Sequence, residues 1–358
     1  RAANTGRVVM DTDEALVVRR GRLMHRCEIC LARWAIQIST VVMLAATFLV
    51  PQFVTAAEAA ETDADYDLTV VVQTNAHEGP VFVTSQGRLY FTTKPDFRAP
   101  DTHIAINYLD IATNKVVSFR LHSNMANGMW LSRDGKSLLV AEQGTLTSPA
   151  AISRIALADG KREVVVDEYQ GKPFNSPNKV IESSAGWIYF SDPDYGHNQG
   201  FKPAPLLPMA VYAHDSLSGT TVRLSTSFDR PHGLALSPDE NLLYVGDTAA
   251  IDGRSSYDPS ATHGIFVTKL LTPDSLGVVH SLLQVPIGIP DGIVTSPNGD
   301  LFVAAGDGVR HYSDEGKFLG LMAIENGAVN LTLVEGVLYI TADTAIYRAK
   351  VGSDKLSD

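Results

Sequence analysis

Short apolar runs separated by turns make up most of the chain from Tyr66 onward, with almost no helical periodicity. The stretch from Pro173 to Gly196 shows the pattern most clearly. In it, Asn178 follows a proline, and then come an apolar strand, a Ser-Ala-Gly turn, a second apolar strand and an acidic loop closed by glycine. Six stretches share this order of a polar residue, an apolar strand, a turn and a second apolar strand. They begin at Glu78, Asn127, Asn178, His232, Asp291 and Asn330.

The six starts are separated by roughly 40 to 60 residues, the period of propeller blades that contain four strands each. Gly, Asn and Asp in the turns suit tight hairpins, because these residues accept positive φ at low cost. We therefore predict an all-β fold, a six-bladed β-propeller of four-stranded blades that occupies about 290 residues. Closure of the ring would remove the exposed sheet edges of an open structure.

The phase of the repeat places its polar residues together. The innermost strand of each propeller blade runs along the central channel, so residues that open those strands in phase should surround one mouth of it. Two carboxylates, three amides and an imidazole on one axis would form an oxygen-rich cation site. Asp and Asn also cap strand-opening turns for purely structural reasons. Six such residues in phase favour a site.

Charge narrows the range of partners. The 358 residues carry a formal net charge of −11, but residues 1–57 contain seven Arg and four acidic residues. Those residues sum to +3, so the remainder carries −14. A body this acidic repels nucleic-acid backbones and anionic lipid, which argues against a nucleic-acid partner. It suits a cation or a neutral small molecule.

Residues 24–60 have the order of a signal peptide: a short basic start, an apolar run and then small residues. An uncleaved membrane anchor is the alternative, but polar residues and a proline inside the run disfavour it. We expect residues 1–23 to lie upstream of the natural start and residues 61–358 to form the propeller domain. The protein would then be exported, periplasmic or secreted, with no stable membrane association after cleavage.

Cys27 and Cys30 form a C-x-x-C inside this leader, so we expect the mature chain to contain no cysteine. A redox or zinc interpretation of the pair is therefore disfavoured.

Several motifs resemble the gluconolactonase and senescence-marker (regucalcin) family of six-bladed propellers. They are Glu78-Gly79-Pro80, FNSPNKV with FSDPDYG (174–180 and 190–196), RPHGLALSPDENLLYVGDT (230–248) and IPDGIVTSPNGDLFVAA (289–305). In this order and phase they are specific, and the resemblance covers about residues 66–350. The SPN and SDPDYG pair is most similar to the bacterial gluconolactonase branch.

The resemblance implies one divalent metal, with Glu78, Asn178, His232 and Asp291 as its ligand set. Two departures bear on the metal, since His232 stands where the family usually has Asn and Lys179 where it usually has Asp. The family implies Ca²⁺, whereas an imidazole suits Zn²⁺ or Mn²⁺ better.

The implied activity is metal-dependent hydrolysis of a sugar-acid lactone by metal-activated water. Asp291 would orient or deprotonate that water, with His232 as the alternative base. We expect four side chains to contact the small-molecule lactone: Asn127, Asn175, Asn178 and Tyr195. Two alternatives remain open, a related propeller esterase or phosphotriesterase and a non-enzymatic exported propeller that binds sugar or protein. The sequence does not determine the oligomeric state.

Overall fold

The computed structural model describes residues 66–97, 102–254 and 257–351. The predicted signal peptide at 24–60 and the predicted upstream segment at 1–23 lie outside the described residues, so both remain predictions. Within the described part, no helix is long and apolar enough to span a membrane.

Strands make up nearly all of the regular structure, with one short α-helix, α1 (Tyr195–Asn198), and one 3₁₀ turn (Thr84–Gln86). The strands are β1 (Thr69–Ala76), β2 (Val81–Val83), β3 (Arg88–Thr92), β4 (Ile106–Asp110), β5 (Lys115–Arg120), β6 (Ala126–Leu131), β7 (Ser137–Glu142), β8 (Ala151–Ala156), β9 (Arg162–Val166), β10 (Glu168–Tyr169), β11 (Lys172–Pro173), β12 (Val180–Glu182), β13 (Trp187–Asp192), β14 (Ala210–Asp215), β15 (Thr221–Ser225), β16 (Pro231–Leu236), β17 (Leu242–Asp247), β18 (Gly264–Thr272), β19 (Ser275–Gln284), β20 (Ile293–Thr295), β21 (Leu301–Ala305), β22 (Gly308–Tyr312), β23 (Phe318–Ala323), β24 (Asn330–Val334), β25 (Val337–Thr341) and β26 (Asp343–Lys350).

The strands form six four-stranded antiparallel sheets, which confirms the predicted six-bladed propeller. From the innermost strand outward, five blades are β2–β5, β6–β9, β12–β15, β16–β19 and β20–β23. The sixth has the order β24-β25-β26-β1, so the first strand of the described chain completes the last blade. Its register pairs Thr69 with Arg348 and Ala76 with Asp343. A separate two-stranded hairpin, β10-β11, lies between the second and third blades in the chain.

The hydrophobic core lies between the blades and is divided into six clusters, one at each junction of neighbouring blades. The second strand of a blade is therefore buried on both faces, as in β13, where Ile188, Tyr189 and Phe190 are all at most 1% exposed. At the junction of the second and third blades, Phe190 and Tyr212 stack with their ring centroids 5.3 Å apart. Because the apolar contacts run between sheets, the innermost strands are free to carry polar residues along the axis.

The turn between β12 and β13 has the chemistry that its sequence predicts. Gly186 adopts φ 87°, a conformation that glycine reaches without a side-chain clash, and its N–H donates to Ser183 O at 2.9 Å. Ser183 Oγ accepts a further bond from Trp187 N at 3.1 Å. The turn thus fixes the start of β13.

Candidate metal centre and active site

Five of the six repeat-opening residues line a single cavity of about 310 Å³. They are Glu78, Asn127, Asn178, His232 and Asp291. The sixth, Asn330, does not line it. Its Nδ2 instead donates to Glu78 Oε2 at 2.5 Å, so Asn330 orients Glu78.

A glycine directly after the opening residue allows the innermost strands of neighbouring blades to approach each other closely. Glycine follows the opening residue in four blades, as Gly79, Gly128, Gly233 and Gly292. A Cβ at Gly128 would lie 2.5 Å from Asn178 O, and one at Gly233 would lie 2.3 Å from Asp291 O. Each glycine therefore lets the opening residue of the next blade approach to a distance that no side chain would permit. The repeated polar-Gly dipeptide is the sequence signal from which this close contact could have been predicted.

Glu78, His232 and Asp291 form a compact triad of two carboxylates and an imidazole at the cavity. Their ligand atoms all lie within 4.8 Å of one another. His232 Nε2 is 4.0 Å from Glu78 Oε1, and His232 Nδ1 is 3.3 Å from Asp291 Oδ1. The side chains are 3%, 8% and 18% exposed for Glu78, His232 and Asp291 respectively. The imidazole thus presents one nitrogen to each carboxylate.

Unsatisfied acceptors around the triad show that these residues fit a cation. Within the described ranges, three buried atoms of the cavity make no hydrogen bond of good geometry, namely His232 Nδ1 and Asp291 Oδ1, which face each other at 3.3 Å, and Asn127 Oδ1. Buried polar atoms nearly always have partners, so three such atoms at one cavity point to a ligand that interacts with lone pairs. Two carboxylates and an amide oxygen are suitable for a hard divalent cation, and the imidazole extends the donor set to Zn²⁺ and Mn²⁺.

Burial and neighbouring charges shift the pKa values of Asp291 and His232. Burial raises the pKa of Asp291 well above its usual range, and the neighbouring Glu78 raises it further. Burial lowers the pKa of His232, although the Glu78 carboxylate opposes that shift. The arrangement disfavours two ionised carboxylates side by side, and a bound divalent cation would remove this repulsion.

Lys179 is buried beside the site rather than directed to solvent, with 4% of its surface exposed. Its Cδ packs against Gly128, 3.2 Å from the position that a Cβ there would occupy. Burial lowers the pKa of Lys179, while the carboxylates of Glu78 and Asp291 act in the opposite direction. The chain therefore places the Lys179 amine within electrostatic range of two acidic residues of the triad.

The predicted substrate contacts divide into two groups. Asn127, Asn178 and Tyr195 line the cavity, but Asn175 is not among its lining residues. The Asn175 amide donates to Leu207 O at 3.2 Å and so fastens the connection between β13 and β14. Tyr195 packs its ring edge-on against His232, with the centroids 5.7 Å apart. Its hydroxyl is hydrogen-bonded to Thr248 Oγ1 at 2.5 Å, which holds the ring in place against the imidazole of His232.

Buried acidic residues at the ends of the second strands hold the backbone that precedes the cavity residues. Asp192, at the end of β13, accepts the N–H groups of Asn175 at 2.9 Å and Ser176 at 2.8 Å. Asp247, at the end of β17, accepts those of Asp229 at 2.7 Å and Arg230 at 3.1 Å. Burial raises the pKa of Asp192 to about 7, against the effect of its two N–H donors.

Glu142 plays the corresponding part at the end of β7. Its carboxylate is fully buried and is paired with Arg162 at 2.5 Å. It also accepts a bond from the Asn124 amide at 3.0 Å. Asn124 and Met125 have φ of 54° and 57°, a strained conformation for two consecutive residues other than glycine. Glu142 thus holds the strained segment directly before Asn127. The apolar strand that ends in an acid was present in the sequence as LLVAE, IYFSD and LYVGD, but its role is visible only in the structure.

Comparison with known proteins identifies the family of the chain. The family model described as SMP-30/Gluconolactonase/LRE-like region matches residues 78–343. A gluconolactonase of Zymomonas mobilis is 31% identical over 253 residues, which cover 69% of each chain. Lactonohydrolase oryL of Aspergillus oryzae is 29% identical over 271 residues, 70% of this chain and 61% of that protein.

Solved structures agree with this assignment. A gluconolactonase of Xanthomonas campestris superposes with a TM-score of 0.68 at 27% identity, over 80% of this chain and 89% of that one. A calcium-binding regucalcin of Agrobacterium tumefaciens shares the fold, with a TM-score of 0.58 at 14% identity over 79% and 94% of the two chains. The match over 266 of the 358 residues, together with the motifs and the fold, shows that the chain belongs to the SMP-30/gluconolactonase/LRE-like family.

Proposed function

We propose that the protein hydrolyses the ester bond of a sugar-acid lactone with the help of one divalent cation. The observation that carries this proposal is the triad of Glu78, His232 and Asp291, which brings unpartnered acceptors to one cavity. The names of the relatives from Zymomonas mobilis and Aspergillus oryzae support lactone hydrolysis as the reaction.

The cation would be held by Glu78, His232 and Asp291, with the amide oxygen of Asn178 as the fourth protein ligand. Ca²⁺ is the first candidate, because carboxylate and amide oxygens are its usual ligands. Zn²⁺ and Mn²⁺ are the alternatives, because His232 adds a nitrogen donor that Ca²⁺ binds poorly.

When bound, such a cation polarises a carbonyl oxygen and lowers the pKa of a coordinated water. Asp291 Oδ1 can orient the attacking water and take its proton. His232 Nδ1, 3.3 Å away, is the second acceptor, since its lowered pKa keeps the imidazole neutral. Asn127 can bind a substrate hydroxyl through its amide.

The reaction adds one water across the acyl C–O bond, and the ring oxygen leaves as a hydroxyl group. The product is a hydroxy acid, which releases a proton at neutral pH.

The test is pH-stat hydrolysis of glucono-1,5-lactone by the purified protein. The protein is assayed as isolated, after chelation, and after separate addition of Ca²⁺, Zn²⁺ or Mn²⁺. We expect a rate above spontaneous hydrolysis that chelation abolishes and one metal restores. A rate that chelation does not change would contradict metal dependence.

Variants connect the activity to the triad. Glu78→Gln and Asp291→Asn should each lower kcat/KM by at least about a hundredfold, because each removes a charged ligand of the cation. The control is Glu315→Gln, which alters an exposed carboxylate on the turn after β22. Turnover of an aryl ester or phosphotriester without turnover of any lactone would favour the related esterase instead.

We also propose that the protein is exported, on the basis of the basic, apolar and small-residue order of residues 24–60. Fractionation of cells that express the full chain tests this, because export predicts a shortened protein outside the cytoplasm.

A further inference from the structure

Apolar side chains line the same cavity as the triad, and neither the repeat nor the family resemblance assigns them a role. They are Pro95, Phe97 and Ile104 of the β3–β4 connection, Ile251 of the β17–β18 connection, and Ile289 ahead of β20. We call these five residues the apolar rim. Three separate connections contribute to it, so it is not the by-product of one hydrophobic segment.

Phe97 keeps 45% of its surface exposed, although it belongs to a cavity wall. Its ring stacks on that of Phe201 in the β13–β14 connection, with centroids 5.7 Å apart and planes inclined by 10°. The pair links the first blade to the third, and this contact fixes the position of Phe97. A fixed and exposed aromatic ring at a cavity offers apolar area that a ligand can cover.

Two basic residues of the cavity wall, His77 and Lys94, are paired with Asp343. His77 Nδ1 lies 2.7 Å from Asp343 Oδ1, and Lys94 Nζ forms an ion pair with the other oxygen of Asp343. The three groups therefore satisfy one another. Asp343 offsets the positive charge on this wall, so the wall favours an uncharged substituent over an anionic one.

The hydroxyl groups of a sugar-acid lactone suit the amides of Asn127 and Asn178 in this cavity but pack poorly against the rim. Every hydroxyl that faces Ile104, Ile251 or Ile289 would lose its hydrogen bonds to water and gain none. An aromatic ring alone would not decide the matter, because aromatic side chains also pack against the C–H face of a sugar. The aliphatic side chains are the stronger argument, because they offer a sugar neither a polar atom nor the face of an aromatic ring.

We propose that the apolar rim is a subsite for an uncharged alkyl or aryl substituent on the lactone ring. Substituted lactones are then better substrates than the unsubstituted ring, with the substituent packed against Phe97 and Ile251. The inference rests on the proposed lactone hydrolysis and goes beyond it by naming the class of substrate that the site selects.

A homologous series of racemic δ-lactones tests the subsite, with glucono-1,5-lactone as the reference for the basic activity. The series is δ-valerolactone, δ-hexalactone, δ-octalactone and δ-decalactone, each assayed by pH-stat below its solubility limit. A fully buried methylene group is worth about fourfold in kcat/KM. Partial burial of the four methylene groups that separate δ-hexalactone from δ-decalactone should therefore give roughly tenfold or more.

Two variants assign the gain to the rim. Phe97→Ala and Ile251→Ser should each reduce the ratio of kcat/KM for δ-decalactone over δ-valerolactone by at least about threefold. Leu217→Ser is the matched control, because Leu217 is 93% exposed and is not among the cavity-lining residues. It should leave the ratio unchanged. Thermal unfolding of each variant shows whether the protein remains folded.

The outcomes separate the two proposals. Hydrolysis of gluconolactone with a flat alkyl series would overturn the subsite and leave lactone hydrolysis standing. A gain along the series that persists in both rim variants would also overturn it. Failure to hydrolyse any lactone with any metal would overturn the proposed function itself.

Discussion

Replacement of Gly233 by alanine tests whether the glycine after each cavity residue sets the geometry of the proposed metal centre. Gly233 follows His232, and a Cβ placed on it would lie 2.3 Å from Asp291 O. The backbone of Gly233 does not have positive φ, so alanine brings no conformational penalty of its own. The added methyl group therefore acts by contact alone. It would press on the backbone carbonyl of Asp291 from the residue that directly follows His232.

The size of the effect follows from the distance. An ordinary contact of a Cβ begins at 3.4 Å, so Asp291 O and the new methyl group must separate by about 1 Å. A displacement of about 1 Å in a catalytic arrangement can cost on the order of a hundredfold in rate. We expect a loss of that order in kcat/KM. Metal affinity should fall in parallel, because Asp291 moves relative to Glu78 and His232.

Calorimetric titration with Ca²⁺, Zn²⁺ and Mn²⁺, together with pH-stat kinetics, measures both losses. Gly277→Ala is the matched control, because its Cβ would meet nothing closer than 3.5 Å and Gly277 lies in the outermost strand of the same blade. Urea unfolding shows whether either variant is destabilised as a whole. A Gly233→Ala protein that binds metal and turns over like Gly277→Ala would refute the role assigned to close blade-to-blade approach.

Three further predictions concern residues around the site. Arg162→Met leaves the buried Glu142 carboxylate without its guanidinium partner and should lower the free energy of unfolding in urea by about 3 kcal/mol. Lys161→Met removes one partner of an exposed ion pair and should change nothing measurable. Equal effects of the two substitutions would contradict the structural role assigned to Glu142. Asp192 has a pKa raised to about 7, so the protonated form is favoured on folding and stability falls as the pH rises from 5 to 7, by about 2 kcal/mol. Asp192→Asn should lack that slope in urea unfolding, and an unchanged slope would show that Asp192 titrates normally. His232→Asn restores the usual residue of the family and should tighten Ca²⁺ binding at least about tenfold by calorimetry while weakening Zn²⁺; unchanged Ca²⁺ affinity would show that His232 is not a ligand.

The repeat was sufficient to predict the blades, because its alternation of polar openings, apolar strands and turns reflects the same packing in every blade. It also predicted which residues converge, and Asn127 and Asp291 reach one cavity although 164 positions separate them in the sequence. This worked because in-phase positions on equivalent strands are related by the symmetry of the ring.

What the repeat did not predict lies where the symmetry ends. Asn330 has the phase of a cavity residue but reaches Glu78 instead, since neighbouring blades approach closely enough for side chains to bond. Asn175 holds a connection, and the apolar rim comes from connections that differ in length and composition from blade to blade. Such segments have no periodicity from which a direction could be inferred. Lys179 occupies a position that is glycine in four other blades, and only coordinates reveal where its side chain goes.

The closure of the last blade by β1 makes the active site a late product of folding. Glu78 follows β1 by two residues, and its partner Asn330 is 252 positions away at the start of β24. His77 is tied to Asp343 across 266 positions. A growing chain that has already made Glu78, His232 and Asp291 holds the Glu78 backbone through Thr92 of the first blade, but it cannot orient the Glu78 carboxylate against Asn330 until the sixth blade exists. Contacts of such long range form slowly. Recovery of metal binding during refolding should accordingly lag behind the appearance of β structure, and its rate would report when the ring is completed.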